Sequence, residues 1–130
     1  MTRMEIVALY VALNILILIW LTFRVIAVRR KDLVSLGDNE NTRLRRRIRA
    51  HGNFIEYAPL ALIGLFALAQ FEVSHIGLHI IGLLFVIGRI LHPFGLEGKN
   101  AVGKGRLIGM LMTLLALIGT ALYLLFLIFS

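Results

Sequence analysis

Four runs of apolar residues divide the chain. Residues 6–28 are broken by Asn14, Thr22 and Arg24, and residues 54–71 by Glu56, Pro59 and Gln70. Residues 76–91 contain His79 and Arg89, and residues 107–129 carry no charge at all. A hydrocarbon core about 30 Å thick needs roughly 20 helical residues. The first and fourth runs exceed that, and the second is adequate. The third reaches it by borrowing flanking residues, as a span over 75–92. In lipid every backbone group must be paired internally, so only helices and closed barrels cross. No run alternates apolar and polar positions, which excludes a barrel. The pattern therefore predicts an all-α membrane protein, a single domain over residues 1–130 built as a four-helix bundle.

The connections are unequal. Residues 29–53 are long and polar, and 70–75 are short enough to make spans two and three a tight antiparallel hairpin. Residues 93–106 are rich in glycine, with Gly95, Gly98, Gly103 and Gly105. The first run reads as a span and not as a signal peptide, because Arg29 and Arg30 follow it in place of a small-residue cleavage site. No internal repeat supports a two-half transporter.

Composition agrees. Of 130 residues, 59% are hydrophobic and 16% charged, with mean hydropathy +0.89. A soluble domain is about 45–50% apolar and about 25% charged. There is no cysteine, which excludes disulfides and thiolate metal sites. The net charge of +7 is concentrated. Arg29, Arg30, Lys31, Arg43, Arg45, Arg46, Arg47 and Arg49 lie in the first connection, and Lys99, Lys104 and Arg106 in the third. The N-terminus has Arg3 alone. Basic short loops face the cytoplasm, so both termini are expected outside and the first and third connections inside. Arg43, Arg46 and Arg47 read as a topology signal touching anionic lipid. No aromatic residues interleave with them, so nucleic acid is not an expected partner.

Polar residues inside or beside the apolar runs carry the chemistry. Asn39-Glu40-Asn41-Thr42 offers helix caps, so a helix starts near residue 40 and continues as span two. On it Arg45, Arg49, Asn53 and Glu56 stand at steps of four, four and three, which share one face. A mid-membrane carboxylate costs about 2.5–3.5 kcal/mol on insertion scales. Glu56 is thus expected to face the interior with Arg49 or Arg89 as partner. Arg89 and His92, three apart, close span three before Pro93. Antiparallel pairing gathers Arg49, Asn53, Glu56, Arg89 and His92 near one membrane surface, and Arg106 joins them. Several cations, one carboxylate and one amide suit an anionic ligand that also carries an ammonium.

Plainer readings stand beside these. Arg89 and Glu56 are alternatively an interhelical ion pair, and His92 a helix-end residue. Arg24 and Arg106 can snorkel to the interface. Asn14 more often makes an interhelical hydrogen bond than a ligand contact. His75 and His79 are expected to have packing or interfacial roles at the opposite face. The histidines lack His-Glu-x-x-His spacing, so no metal is expected, and no phosphate loop or nucleophile elbow is present.

Arg49-Ala50-His51-Gly52-Asn53-Phe54-Ile55-Glu56-Tyr57-Ala58-Pro59 resembles the signature of the MAPEG family, membrane-associated proteins in eicosanoid and glutathione metabolism. Gly88-Arg89 followed by His92 resembles the family's second motif, and the hydropathy profile is similar over the whole chain. The nearest likeness is to the small bacterial inner-membrane branch. The resemblance implies a homotrimer that binds glutathione between adjacent subunits near the cytoplasmic side. It implies that Arg49, Asn53, Glu56 and Tyr57 hold the tripeptide, with His92 replacing a tyrosine and Arg89 among the site charges. Arg30, or its neighbour Arg29, resembles a residue supplied by the adjacent subunit, and Arg106 the arginine that stabilises the thiolate. A second tyrosine of several eicosanoid enzymes is Leu96 here.

The implied chemistry is coherent: arginines suit carboxylates, Glu56 suits the ammonium, and a cation favours the thiolate of a thiol whose ordinary pKa is about 8.5. The expected protein is a trimeric glutathione-dependent membrane transferase or peroxidase acting on lipophilic electrophiles. The alternatives are a non-catalytic binder of glutathione or another anion, and a small carrier or channel with Glu56 and Arg89 in its pathway. The latter requires polar residues along a whole span face, and span four has only Thr113, Thr120 and small residues, which counts against it.

Overall fold

The computed structural model describes residues 1–97 and 103–130, so Gly98 and Lys99 lie outside the described residues. Four helices account for nearly all of it: α1 (Arg3–Asp32), α2 (Thr42–Ala69), α3 (His75–Glu97) and α4 (Lys104–Phe129). Each is long and apolar enough to cross a membrane. All four expected spans are present, and every helix extends past its apolar run.

The extensions have local causes. Thr2 and Glu5 form a reciprocal capping box that starts α1 before the apolar run. Leu33 closes α1 in the left-handed conformation, after a last turn carrying Arg29, Arg30 and Lys31 that complements the helix C-terminal dipole. Asn41 caps α2: its Oδ1 accepts from the Leu44 amide at 3.0 Å, and its Nδ2 donates to Asp32 at 2.6 Å. The long polar connection thus shrinks to residues 33–41. Asp38 in this connection is bound by Arg45 of α2, and that hydrogen bond holds the Asp38 carboxyl below the usual carboxylate range. The contact persists at neutral pH and is lost as pH falls through the depressed pKa.

Helix α3 does not stop at Pro93. It runs through the proline, which merely leaves the Arg89 carbonyl without its usual donor, and ends at Glu97. Gly95 and Gly105 consequently lie inside α3 and α4 and not in a flexible connection. Their role is close approach. A Cβ on Gly95 would fall on the backbone of Arg106. A Cβ on Gly88 would lie 2.8 Å from the Gly109 carbonyl, and one on Gly109 2.7 Å from the His92 nitrogen. The two backbones touch, as small residues permit between membrane helices. The closest approach is therefore between α3 and α4; the short connection from Ala69 to His75 brings α2 and α3 into contact as a hairpin, whereas glycine sets the distance between helices. Around the bundle the order is α1, α2, α4, α3, with α1 and α4 on a diagonal and not in contact.

Tyr10 fills the centre of the opposite half, flat against Gly82, with its hydroxyl 2.9 Å from His79 Nδ1. His79 has the packing role expected of it. Asn14 departs from expectation: it donates back to the Tyr10 carbonyl of its own helix at 2.8 Å. Large side chains such as Phe23, Leu60, Ile76 and Phe126 point outward.

Glu97 ties three helices at the basic end. It accepts from Arg24 of α1 at 2.5 Å and Arg47 of α2 at 2.9 Å. Arg47 also donates to the Arg24 carbonyl at 2.7 Å, and the Arg24 guanidinium lies 4.6 Å above the Trp20 ring centre. Arg24 is therefore not a snorkelling residue. Arg47 is not a lipid contact, because a carboxylate within the chain already satisfies it.

Two stability predictions follow from this packing. Gly95→Ala should destabilise by about 1–3 kcal/mol through overpacking, seen as a lower thermal midpoint in detergent. Gly119→Ala, where nothing lies within 4 Å, should be neutral or stabilising. Glu97→Gln should cost ~1–3 kcal/mol, between exposed and buried ion-pair limits, and Arg47→Ala added to it should then cost little more.

Candidate functional site

The basic end of α2 presents a stripe of polar residues one turn apart. Arg49 and Glu56 lie on its outward face and form an ion pair, Nη1 to Oε1, at 3.0 Å. Their side chains are 64% and 49% exposed. Glu56 thus does not face the bundle interior, and its partner is Arg49 and not Arg89. The reason is length: residues 42–53 continue α2 beyond the apolar run, so Glu56 sits near that run's end and a same-face arginine seven residues away reaches it. An exposed pair of this kind is worth about 0–1 kcal/mol. It can be exchanged cheaply for a ligand that brings both charges.

Asn53, between them on the stripe, turns inward and is buried. Its Oδ1 accepts from Arg89 Nη1 at 2.7 Å. Arg89 is only 2% exposed. Its Nη2 donates to the Thr113 hydroxyl of α4 at 2.5 Å, and that hydroxyl donates to the Gly109 carbonyl at 2.8 Å. The Tyr57 and Phe85 rings lie 5.5 and 5.8 Å from the guanidinium carbon. Among the described residues Arg89 makes no ion pair, and its Nε has no hydrogen-bond partner. The buried positive charge is held by neutral oxygens and aromatic faces alone.

His92, one turn beyond Arg89, is buried against the glycine crossing of α3 and α4. The same crossing sets the Arg106 backbone against Gly95, one turn beyond His92, so Arg89, His92 and Arg106 share one region. Arg106, in the first turn of α4, is exposed. Tyr57 is half-buried beside Arg89. Arg30 is exposed at the end of α1. Arg29 is committed to its own loop, donating to the carbonyls of Val34 at 3.4 Å and Gly37 at 3.0 Å. Of the two, Arg30 is the more exposed. A shallow groove between α1 and α2 adjoins them, lined by Thr22, Val25, Ile26, Arg29, Ile48 and His51. His51 Nε2 is 3.1 Å from the Thr22 hydroxyl.

Arg49, Asn53, Glu56, Tyr57, Arg89, His92 and Arg106 are thus gathered at one end of the bundle, and Arg30 lies at that end on the outer surface. Their balance is positive, with one exchangeable carboxylate, which can hold a ligand with acidic groups and an ammonium. Thr113 and Glu97 were missed from sequence. Thr113 was visible only as part of a Gly109, Thr113, Ala116, Thr120 stripe at helical spacing. Glu97 was the lone carboxylate between Arg89 and the end of the chain.

Comparison with known proteins agrees with the architecture. The MAPEG family model matches residues 7–126. "Inner membrane protein YecN" of Escherichia coli strain K12 is 32% identical over 92 residues, covering 71% of this chain and 70% of that protein. The protein of the same name from Escherichia coli O6:H1 matches equally. No solved structure matches. With four membrane-length helices and a family match over nearly its full length, the chain belongs to the MAPEG family.

Proposed function

We propose that this protein is a glutathione-dependent transferase or peroxidase of the bacterial inner membrane, acting as a homotrimer on lipophilic electrophiles. The observation that carries the reading is the exposed Arg49–Glu56 pair flanking Asn53 beside a buried, uncompensated Arg89. Glutathione carries two carboxylates and an ammonium. It fits a site that offers arginines, one carboxylate and one amide, and the family includes glutathione-dependent transferases.

In this reading a ligand carboxylate takes Arg49 and the ammonium takes Glu56, each exchanging one exposed partner for another. Tyr57 and His92 line the same region, and Arg30 reaches the site of a neighbouring subunit. Arg106 lies in the first turn of α4, where the helix dipole adds positive potential. There it favours the thiolate over the thiol. The thiolate then attacks the electrophilic carbon of a substrate that arrives through the lipid; the new bond is carbon to sulfur, and the leaving group departs with the electron pair. The first and third connections face the cytoplasm in this reading, where the thiol is abundant.

A second reading, binding without turnover, is favoured by Leu96. It is buried in the core and supplies no phenol where several eicosanoid enzymes of the family carry one.

The test is a glutathione titration of purified protein in detergent, followed by turnover of a generic aryl halide. Binding with turnover supports the transferase, binding alone supports the second reading, and no binding overturns both. Arg106→Ala should retain binding but lose the ultraviolet absorbance of the thiolate; an unchanged thiolate signal would remove its assigned role. Glu56→Gln should weaken glutathione roughly tenfold while leaving affinity for its N-acetylated form unchanged, because only the free ammonium needs the carboxylate.

A further inference from the structure

The direction of each hydrogen bond around Arg89 is dictated by chemistry. A guanidinium has five donors and no acceptor. The atom of Asn53 that meets it must therefore be the amide oxygen, and the structure has Oδ1 there at 2.7 Å. The amide is planar, so fixing Oδ1 inward turns Nδ2 away from Arg89. Nδ2 has no partner among the described residues and is not among their buried unsatisfied atoms. It shares the α2 stripe with Arg49 and Glu56, one turn to either side.

Thr113 completes the chain. Its hydroxyl has one hydrogen, which goes to the Gly109 carbonyl, so toward Arg89 it can only accept, which it does at 2.5 Å. Arg89 of α3 thus donates both ways, to Thr113 of α4 and to Asn53 of α2, and neither bond can reverse its direction. Thr113 and Asn53 hold the two terminal nitrogens of one rigid, planar fork, so moving either partner rotates the other's.

We infer that Thr113 and Arg89 are positioning residues that lock the Asn53 amide with its Nδ2 donors facing the ligand, which makes the site selective for an acceptor oxygen, a carboxylate or amide carbonyl, at that point. This rests on the glutathione reading for the identity of the ligand, but the orientation itself does not.

The test pairs thermal midpoints with glutathione titration in detergent. Asn53→Asp preserves shape, gives buried Arg89 an anion, and replaces both Nδ2 donors with an acceptor. It should raise the midpoint yet weaken glutathione by roughly tenfold or more. A merely structural Asn53 would not separate stability from binding in this way. Thr113→Val should cost roughly three- to tenfold in affinity, and Thr113→Ser, which keeps the hydroxyl and loses the methyl, should restore it. Wild-type affinity in Asn53→Asp, or loss in Thr113→Ser equal to that in Thr113→Val, overturns the inference. If Thr113→Val does not fold, the Asn53→Asp comparison decides alone. If the wild-type protein binds no glutathione, the function proposed above fails, and the Asn53→Asp midpoint still judges the orientation: a lower midpoint overturns it.

Discussion

A guanidinium buried among apolar helices with no carboxylate to meet it is the constraint around which this bundle is arranged. Arg89 reaches Asn53 on one neighbouring helix and Thr113 on another, so α2, α3 and α4 are tied through one side chain. Charge in the middle of a membrane protein is tolerated only where it is hydrogen-bonded. Thr113 comes within reach only because α3 and α4 touch through Gly88, Gly95 and Gly109. A glycine beside the arginine and another one turn before the threonine are therefore part of the electrostatics. Without that contact the hydroxyl would stand too far away, and a buried cation would lose one of its two acceptors.

The remaining charges divide by how firmly they are committed. Arg24 and Arg47 share the one carboxylate of Glu97 across α1, α2 and α3, and Asp38 and Arg45 close the first connection. These groups shape the basic end and have little freedom. Arg49 and Glu56 are exposed and paired only with each other, and Arg30 is exposed on the outer surface. The same end of the molecule thus holds a rigid frame and an exchangeable set, and the exchangeable set lies along the face where Asn53 turns inward.

Much of this was legible in the sequence, for reasons that can be named. Four apolar runs of bilayer length leave few choices of fold, and Asn41 sits where a cap was expected. The clustering of Arg49, Asn53, Arg89 and His92 followed from helical spacing and antiparallel pairing. What failed depended on side-chain reach across helices. Glu56 was expected inside, but spacing puts residues on a face without saying which way the face turns. Pro93 was expected to end α3, because a proline usually does. It does not here, where the helix beyond it packs against α4. Thr113 shows in the sequence only as one of a stripe of small residues, and a threonine in an apolar helix ordinarily bonds its own backbone, as this one also does. Glu97 lay just past the expected end of a span and gained its role only when α3 was found to reach it.

Beyond the glycine crossing and the partial packing of Leu117, Tyr123, Leu124 and Leu127, helix α4 buries four residues against the rest of the protein, Gly109, Thr113, Ala116 and Thr120. All four are small, and the large side chains of its 26 residues turn mostly outward. Its outer face answers chiefly to hydropathy, so that sequence is free to drift, or to be moulded by whatever lies against it, without disturbing the charge network on the inner side. A chain that keeps its chemistry on a narrow inner seam can change its surroundings while the site it carries stays the same.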